Sequence, residues 1–180
     1  MSRKKLATVW LGGCSGCHMS LLDIDERILE VAKLADIVKC PVVDGKELPE
    51  VDITLVEGAV TSDEHLEELL HIRKQSKVLV ALGDCAVMTN VTGMRNYFEL
   101  DDCLNTAYRD AVSNDGQGEM PVAPFVMHLN KKVVPLQEVV VVDFVIPGCP
   151  PDANTIFYVL SELLNDRIPD LSEAKKLHYG

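Results

Sequence analysis

The sequence predicts an α/β fold, a parallel five-stranded sheet with helices on both faces, and three observations predict it. Five short, almost continuously apolar runs recur along the chain, stretches of helical periodicity lie between them, and glycine or proline closes each run. Strands that are apolar on both faces belong to parallel sheets covered on both sides, since an antiparallel sheet with one wet face would alternate.

The first strand is Leu6 to Leu11, ending at Gly12-Gly13. From Ser20 to Ala35, Leu21, Ile24, Ile28, Val31 and Leu34 recur at helical spacing, which predicts one helix. Asp36 to Cys40 is a second strand, stopped by Pro41, and Val51 to Val56 a third, running into Glu57-Gly58. The segment TSDEHLEELLHIRKQ has a helix start signal at Thr61 or Ser62, acidic residues in its first turn and basic ones in its last. Lys77 to Leu82 is a fourth strand, ended by Gly83. Residues 103–134 carry weak patterning, and Asp115, Gly116, Gly118, Pro121 and Pro124 mark a loop-like insertion. Val139 to Ile146 is the fifth strand, and Asn154 to Asn165 an amphipathic closing helix. The expected strand order is flavodoxin-like, 2-1-3-4-5, in one domain spanning residues 1–180. Ligands in such sheets sit beyond the carboxyl ends of the strands.

Composition narrows the function. A length of 180 residues with 47% hydrophobic and 25% charged residues is globular. No run approaches the roughly 18 apolar residues of a membrane span. The basic start MSRKK precedes LATVWL, which is shorter than the roughly 7 to 15 residues of a signal-peptide core; a cytoplasmic protein is expected. A formal charge of -11 argues against nucleic-acid partners, because a phosphate-binding face needs clustered Lys and Arg. Six cysteines in a cytosolic chain point to metal or redox chemistry rather than disulfides.

Four of those cysteines fall at strand ends. Cys14 and Cys17 follow the first strand, Cys85 the fourth in LGDCA, and Cys149 the fifth in IPGCPP, each in a turn with glycine that lets backbone approach a bulky ligand. Four thiolates converging on one sheet edge suit a tetra-thiolate centre, a cubane iron-sulfur cluster or zinc. One close pair plus two distant single cysteines favours iron-sulfur, because structural zinc sites are usually built from two close pairs. Cys-Pro at residues 149 and 150 agrees weakly with this, and a redox dithiol at Cys14 and Cys17 would leave Cys85 and Cys149 unexplained.

Cys40 follows the second strand, on the far side of the first, and reads as a buried apolar residue; Cys103 reads as structural, so one cluster is expected. The third strand ends in VEGA between the ligand turns, which places Glu57 among them. Two roles are open for this carboxylate: proton transfer, charge compensation or substitute ligation beside the cluster, or simple acceptance of backbone N–H bonds. His18 reads as a helix cap or surface contact, and His65 and His71 as surface residues of a helix.

Taken together, WLGGCSGCHMS, VEGA, LGDCA and IPGCPP give the chain a resemblance to the small subunit of nickel-iron hydrogenases. It most resembles the short, single-cluster small subunit of bidirectional NAD-reducing hydrogenases. The resemblance covers nearly the whole chain. It implies that Cys14, Cys17, Cys85 and Cys149 hold one 4Fe-4S cluster, proximal to a nickel-iron centre in a separate large subunit. It further implies iron-sulfur and flavin diaphorase partners that carry electrons on to FMN and NAD. Larger small subunits have a twin-arginine signal and a second cluster domain, and with about 30 residues following Cys149 here the short type lacking both is expected. Related respiratory subunits carry adjacent cysteines at the first motif, whereas Ser15 and Gly16 separate Cys14 from Cys17, which favours hydrogen over quinone chemistry. Competing expectations are another terminal acceptor, an FMN carrier using Ser15 and Ser20 at the phosphate turn, and a zinc-stabilised interaction module.

Overall fold

The computed structural model describes residues 3–42, 47–115 and 118–172; Met1 and Ser2 of the basic start and Gly116 of the insertion lie outside them. Five parallel strands form the main sheet: β1 (Lys4–Trp10), β2 (Ala35–Lys39), β3 (Val51–Glu57), β5 (Ser76–Leu82) and β7 (Phe144–Ile146). Their spatial order is β2-β1-β3-β5-β7, which is 2-1-3-4-5 when only these strands are counted. Register runs Leu6 opposite Ile53 and Ile53 opposite Val78, so the strands end nearly level and their following turns share one edge.

Side chains alternate across this sheet and build two core layers. Leu6, Ile53, Leu55, Val80, Leu82 and Ile146 face one side. There they meet α1 (Gly16–Leu22), α2 (Ile28–Leu34) and α6 (Ala153–Leu164). Ala7, Val9, Val56, Leu79 and Ala81 face the other, against Leu69 and Ile72 of α3 (Asp63–Gln75) and Ala86 of α4 (Asp84–Met88). Both long helices start as their sequences dictate: the Ser62 side chain accepts from His65 N in α3, and Asp152 accepts from Asn154 N and Thr155 N in α6. Ile156, Val159, Leu160 and Leu164 of α6 form one buried stripe. Leu160→Ala is expected to cost about 2–5 kcal/mol of stability, read as a lower urea midpoint with an unchanged slope.

The structure departs from the sequence reading in three places. The expected helix from Ser20 to Ala35 is broken, because Asp25 takes φ 54° and a single 3₁₀ turn, Asp25–Arg27, separates α1 from α2. Ile24 still reaches the core, so apolar spacing does not register the break. The expected strand from Val139 to Ile146 shortens to β7: Val139, Val140 and Val142 pack on the core without ladder pairing. Asp143 ends that stretch, with Oδ2 accepting from Leu79 N (2.7 Å) and pairing with Arg73 Nη1 (2.5 Å).

The region expected to be a loop-like insertion is more ordered than its composition implies. It holds the end of α5 (Leu100–Leu104), one π-helical turn, and β6 (Leu129–Val134). β6 pairs antiparallel with β4 (Val60–Ser62) in a second, two-stranded sheet. Two short segments about 70 residues apart in sequence carry no local signal of such a pairing.

Candidate metal centre

The turns after β1, β3, β5 and β7 are sewn together by backbone. Leu11 N donates to Glu57 O (2.7 Å), and Gly12 and Ala59 exchange two bonds (3.0 and 2.8 Å), which joins the Cys14 turn to the end of β3. Gly58 there has φ 90°, and a Cβ on it would sit 2.9 Å from Gly12 O. The Cys85 turn is joined to the Cys149 turn by Asp84, whose N–H donates to Gly148 O (2.9 Å) and whose Oδ1 accepts from Gly148 N (2.7 Å). Ser20 Oγ donates to Pro151 O (2.5 Å), tying α1 to the segment just after Cys149.

The close approach at Gly83 closes the ring of turns. With φ 83°, its missing side chain leaves the space that Cys17 Sγ occupies: a Cβ there would lie 2.2 Å from that sulfur. Cys17 is therefore lodged beside the turn that carries Cys85. Burial pushes the Cys17 thiol well up, and the negative charges of Glu57, Cys85, Cys14 and Cys149 push it further. Burial also raises Cys85, with Cys149 and Cys14 adding to it and the Thr92 backbone N–H opposing. Cys17 and Cys85 thus both lie within electrostatic reach of Cys14 and Cys149. Cys14 and Cys149 are exposed, and Gly16 N donates to Cys14 Sγ at 3.4 Å.

Cys40 and Cys103 are not among the charges acting on Cys17. Cys40 is half-buried rather than a core residue and lines an apolar cavity with Trp10 and His18; Cys103 is half-buried on α5. Among the described residues, no group of three or more His, Cys, Asp or Glu side chains is gathered as a single metal ion would require.

Glu57 is 2% exposed at the end of β3 and does accept the backbone bonds expected of a supporting carboxylate, from Cys17 N (3.4 Å) and His18 N (2.9 Å). His18 overturns its expectation. Its residue is 5% exposed, Nδ1 pairs with Glu57 Oε2, and the ring meets Trp10 edge-on with centroids 5.5 Å apart. His65 is also less exposed than expected: burial holds its imidazole below the ordinary value, and Nδ1 meets Thr61 Oγ1 at 2.9 Å. His71 is exposed, as expected. Sequence reasoning missed Asp84 and the part played by Ser20. The Asp preceding Cys85 in LGDCA was the available signal; Ser20 had none, since its partner lies 131 residues away.

A model of the NADH ubiquinone oxidoreductase 20 kDa subunit family matches residues 14–163, from the first cysteine through the last and on into α6. The chain belongs to this family. Among its relatives, the NAD-reducing hydrogenase HoxS subunit delta of Cupriavidus necator is 42% identical over 173 residues, covering 94% of this chain and 83% of that one. One subunit of the F420-non-reducing hydrogenase of Methanothermobacter thermautotrophicus is 37% identical over 94% of this chain, which spans 56% of its length. The backbone superposes on a chain of the crystal structure of a NAD+-reducing [NiFe]-hydrogenase in the H2-reduced state with TM-score 0.96. That match has 35% identity and covers 99% of this chain and 100% of that one. A [NiFeSe]-hydrogenase of Dm. baculatum shares the fold at TM-score 0.59 and 17% identity, over 95% of this chain and 68% of that one.

Proposed function

We propose that this chain is the electron-transferring small subunit of a cytoplasmic NAD-reducing nickel-iron hydrogenase, and that Cys14, Cys17, Cys85 and Cys149 hold a single 4Fe-4S cluster. One observation carries the reading. Three turns carrying four cysteines lie at one sheet edge, in a chain whose backbone follows that of a NAD+-reducing [NiFe]-hydrogenase subunit over 99% of its length.

The donor set fits a cubane cluster. Structural zinc sites are usually built from two close pairs of ligands, whereas here one close pair, Cys14 and Cys17, joins two distant single cysteines. A cluster spreads its ligands over four iron atoms and suits donors that arrive from three separate turns. When bound, it supplies one-electron transfer. The chain's own residues do the rest. Gly83 makes room for Cys17, and Asp84 holds the Cys85 and Cys149 turns in register. The sheet and its helices exclude water from Cys17 and Glu57 while Cys14 and Cys149 stay at the surface that a partner covers.

The nickel-iron centre is assigned to a large-subunit partner facing that edge, and further clusters, FMN and NAD to diaphorase partners. Tyr97, Phe98 and Phe125, exposed in the segment that includes α5, are suited to burial against a partner subunit. No helix among the described residues is long and apolar enough to cross a membrane. The similarity to a subunit of an F420-non-reducing hydrogenase, whose name does not include NAD, favours a second reading, a hydrogenase small subunit with an acceptor other than NAD.

Purification of the native complex tests both readings. Expected are iron with acid-labile sulfide, a broad visible band, a co-purifying large subunit and hydrogen-dependent NAD reduction. Stoichiometric zinc in a colourless protein would overturn the cluster. Flavin fluorescence after acid extraction of the isolated chain would favour the FMN alternative, for which Ser20 is ill placed, being turned onto Pro151 O.

A further inference from the structure

α1 begins without a side-chain cap of its own: Ser15 at its N-terminus has φ 65° and makes no capping bond. The first free N–H groups of the helix, those of Cys17 and His18, are taken instead by Glu57, 40 and 39 residues away. His18 then returns to the same carboxylate through its ring, so one residue holds Oε2 by both backbone N and Nδ1. A carboxylate only accepts, so Nδ1 carries the proton of this bond. Nε2 is buried and has no hydrogen-bond partner among the described residues. Among the described residues, the ring's one polar attachment is therefore Glu57.

We propose that His18 is a positioning residue for the metal centre: by clamping Glu57, it keeps the backbone N–H groups of Cys17 and His18 committed to that carboxylate and so sets the cluster's reduction potential. The inference rests on the cluster assignment above. An N–H group pointing at a cluster sulfur stabilises the reduced, more negative state and raises the potential. With the clamp intact, two such groups at the buried ligand are held on Glu57 instead. Release of the carboxylate frees them, and removal of its charge acts in the same direction.

The test is a redox titration of the intact complex, following the cluster's paramagnetic signal in wild type, H18L, H18N, H18Q, E57Q and H18L/E57Q. Asparagine places its amide nitrogen close to the position of Nδ1, whereas glutamine places it nearer that of Nε2. Expected are higher potentials for H18L, H18Q and E57Q, a wild-type potential for H18N, and a double variant shifted no further than the larger single shift. H18N lacks the ring that packs on Trp10, so a role in packing alone predicts that it behaves like H18L. Equal shifts in H18N and H18L, or additive shifts in the double variant, would overturn the proposal. If H18L fails to assemble, the comparison of H18N with H18Q decides it, and equal potentials in those two overturn it. A wild-type complex with no iron-sulfur signal would remove the function reading and this inference together; a normal signal with an unmoved H18L potential removes this inference alone.

Discussion

Cys85→Ser is expected to abolish hydrogen-dependent NAD reduction by the assembled complex and to lower its iron and sulfide content. Serine is close in size to cysteine and can still accept the Thr92 N–H, so the turn and its tie to Gly148 through Asp84 should persist. What is lost is the thiolate, because a serine hydroxyl stays protonated at neutral pH and is a poor ligand for iron. Neither remaining cysteine stands in for it: Cys40 lies at the end of β2, beyond β1, and Cys103 sits on α5. With the cluster lost or incomplete, electrons have no relay between the large subunit and the diaphorase. Hydrogen-dependent NADH formation, iron content and the paramagnetic signal are the measurements. Unchanged activity and iron content would sink the ligand assignment.

Gly83→Ala is the substitution expected to damage the site most without touching a ligand. Its backbone, φ 83° and ψ 163°, lies in a region nearly confined to glycine, and a side chain there costs of order 1–3 kcal/mol. The added Cβ would also lie 2.2 Å from Cys17 Sγ, an overlap that adds about 1–3 kcal/mol or forces the sulfur aside. A domain with roughly 5–15 kcal/mol of stability should show this as a large fall in urea midpoint, together with reduced iron content. Gly13→Ala is the control, since a Cβ there meets nothing closer than Gly58 Cα at 3.4 Å, and it should leave the apo-protein's midpoint near wild type. A Gly83→Ala protein with wild-type midpoint and iron content would show that Cys17 is not held by this contact.

The strand order and the edge that carries Cys14, Cys17, Cys85 and Cys149 were legible in the sequence, because both follow from local rules. Apolar runs such as KVLVAL become doubly buried strands, and in a parallel sheet the residue after each strand must then lie at one edge. Local rules failed where packing replaced pairing. Val139–Val142 is β-branched and apolar, yet it fills the core without joining the ladder. Asp25 breaks a helix whose apolar spacing continues through the break.

By itself, then, the sequence determined the five-stranded sheet and the strand ends that carry the four cysteine residues, since each depends on residue type and spacing along a few consecutive positions. Only the tertiary structure decided how that edge is held. Glu57 caps a helix 40 residues away, His18 leaves the surface to clamp it, Ser20 reaches Pro151, and Gly83 yields its side-chain space to Cys17. These contacts join positions distant in sequence, and a buried polar group must take whatever partner the fold brings within reach. Spacing along the chain carries no record of that choice.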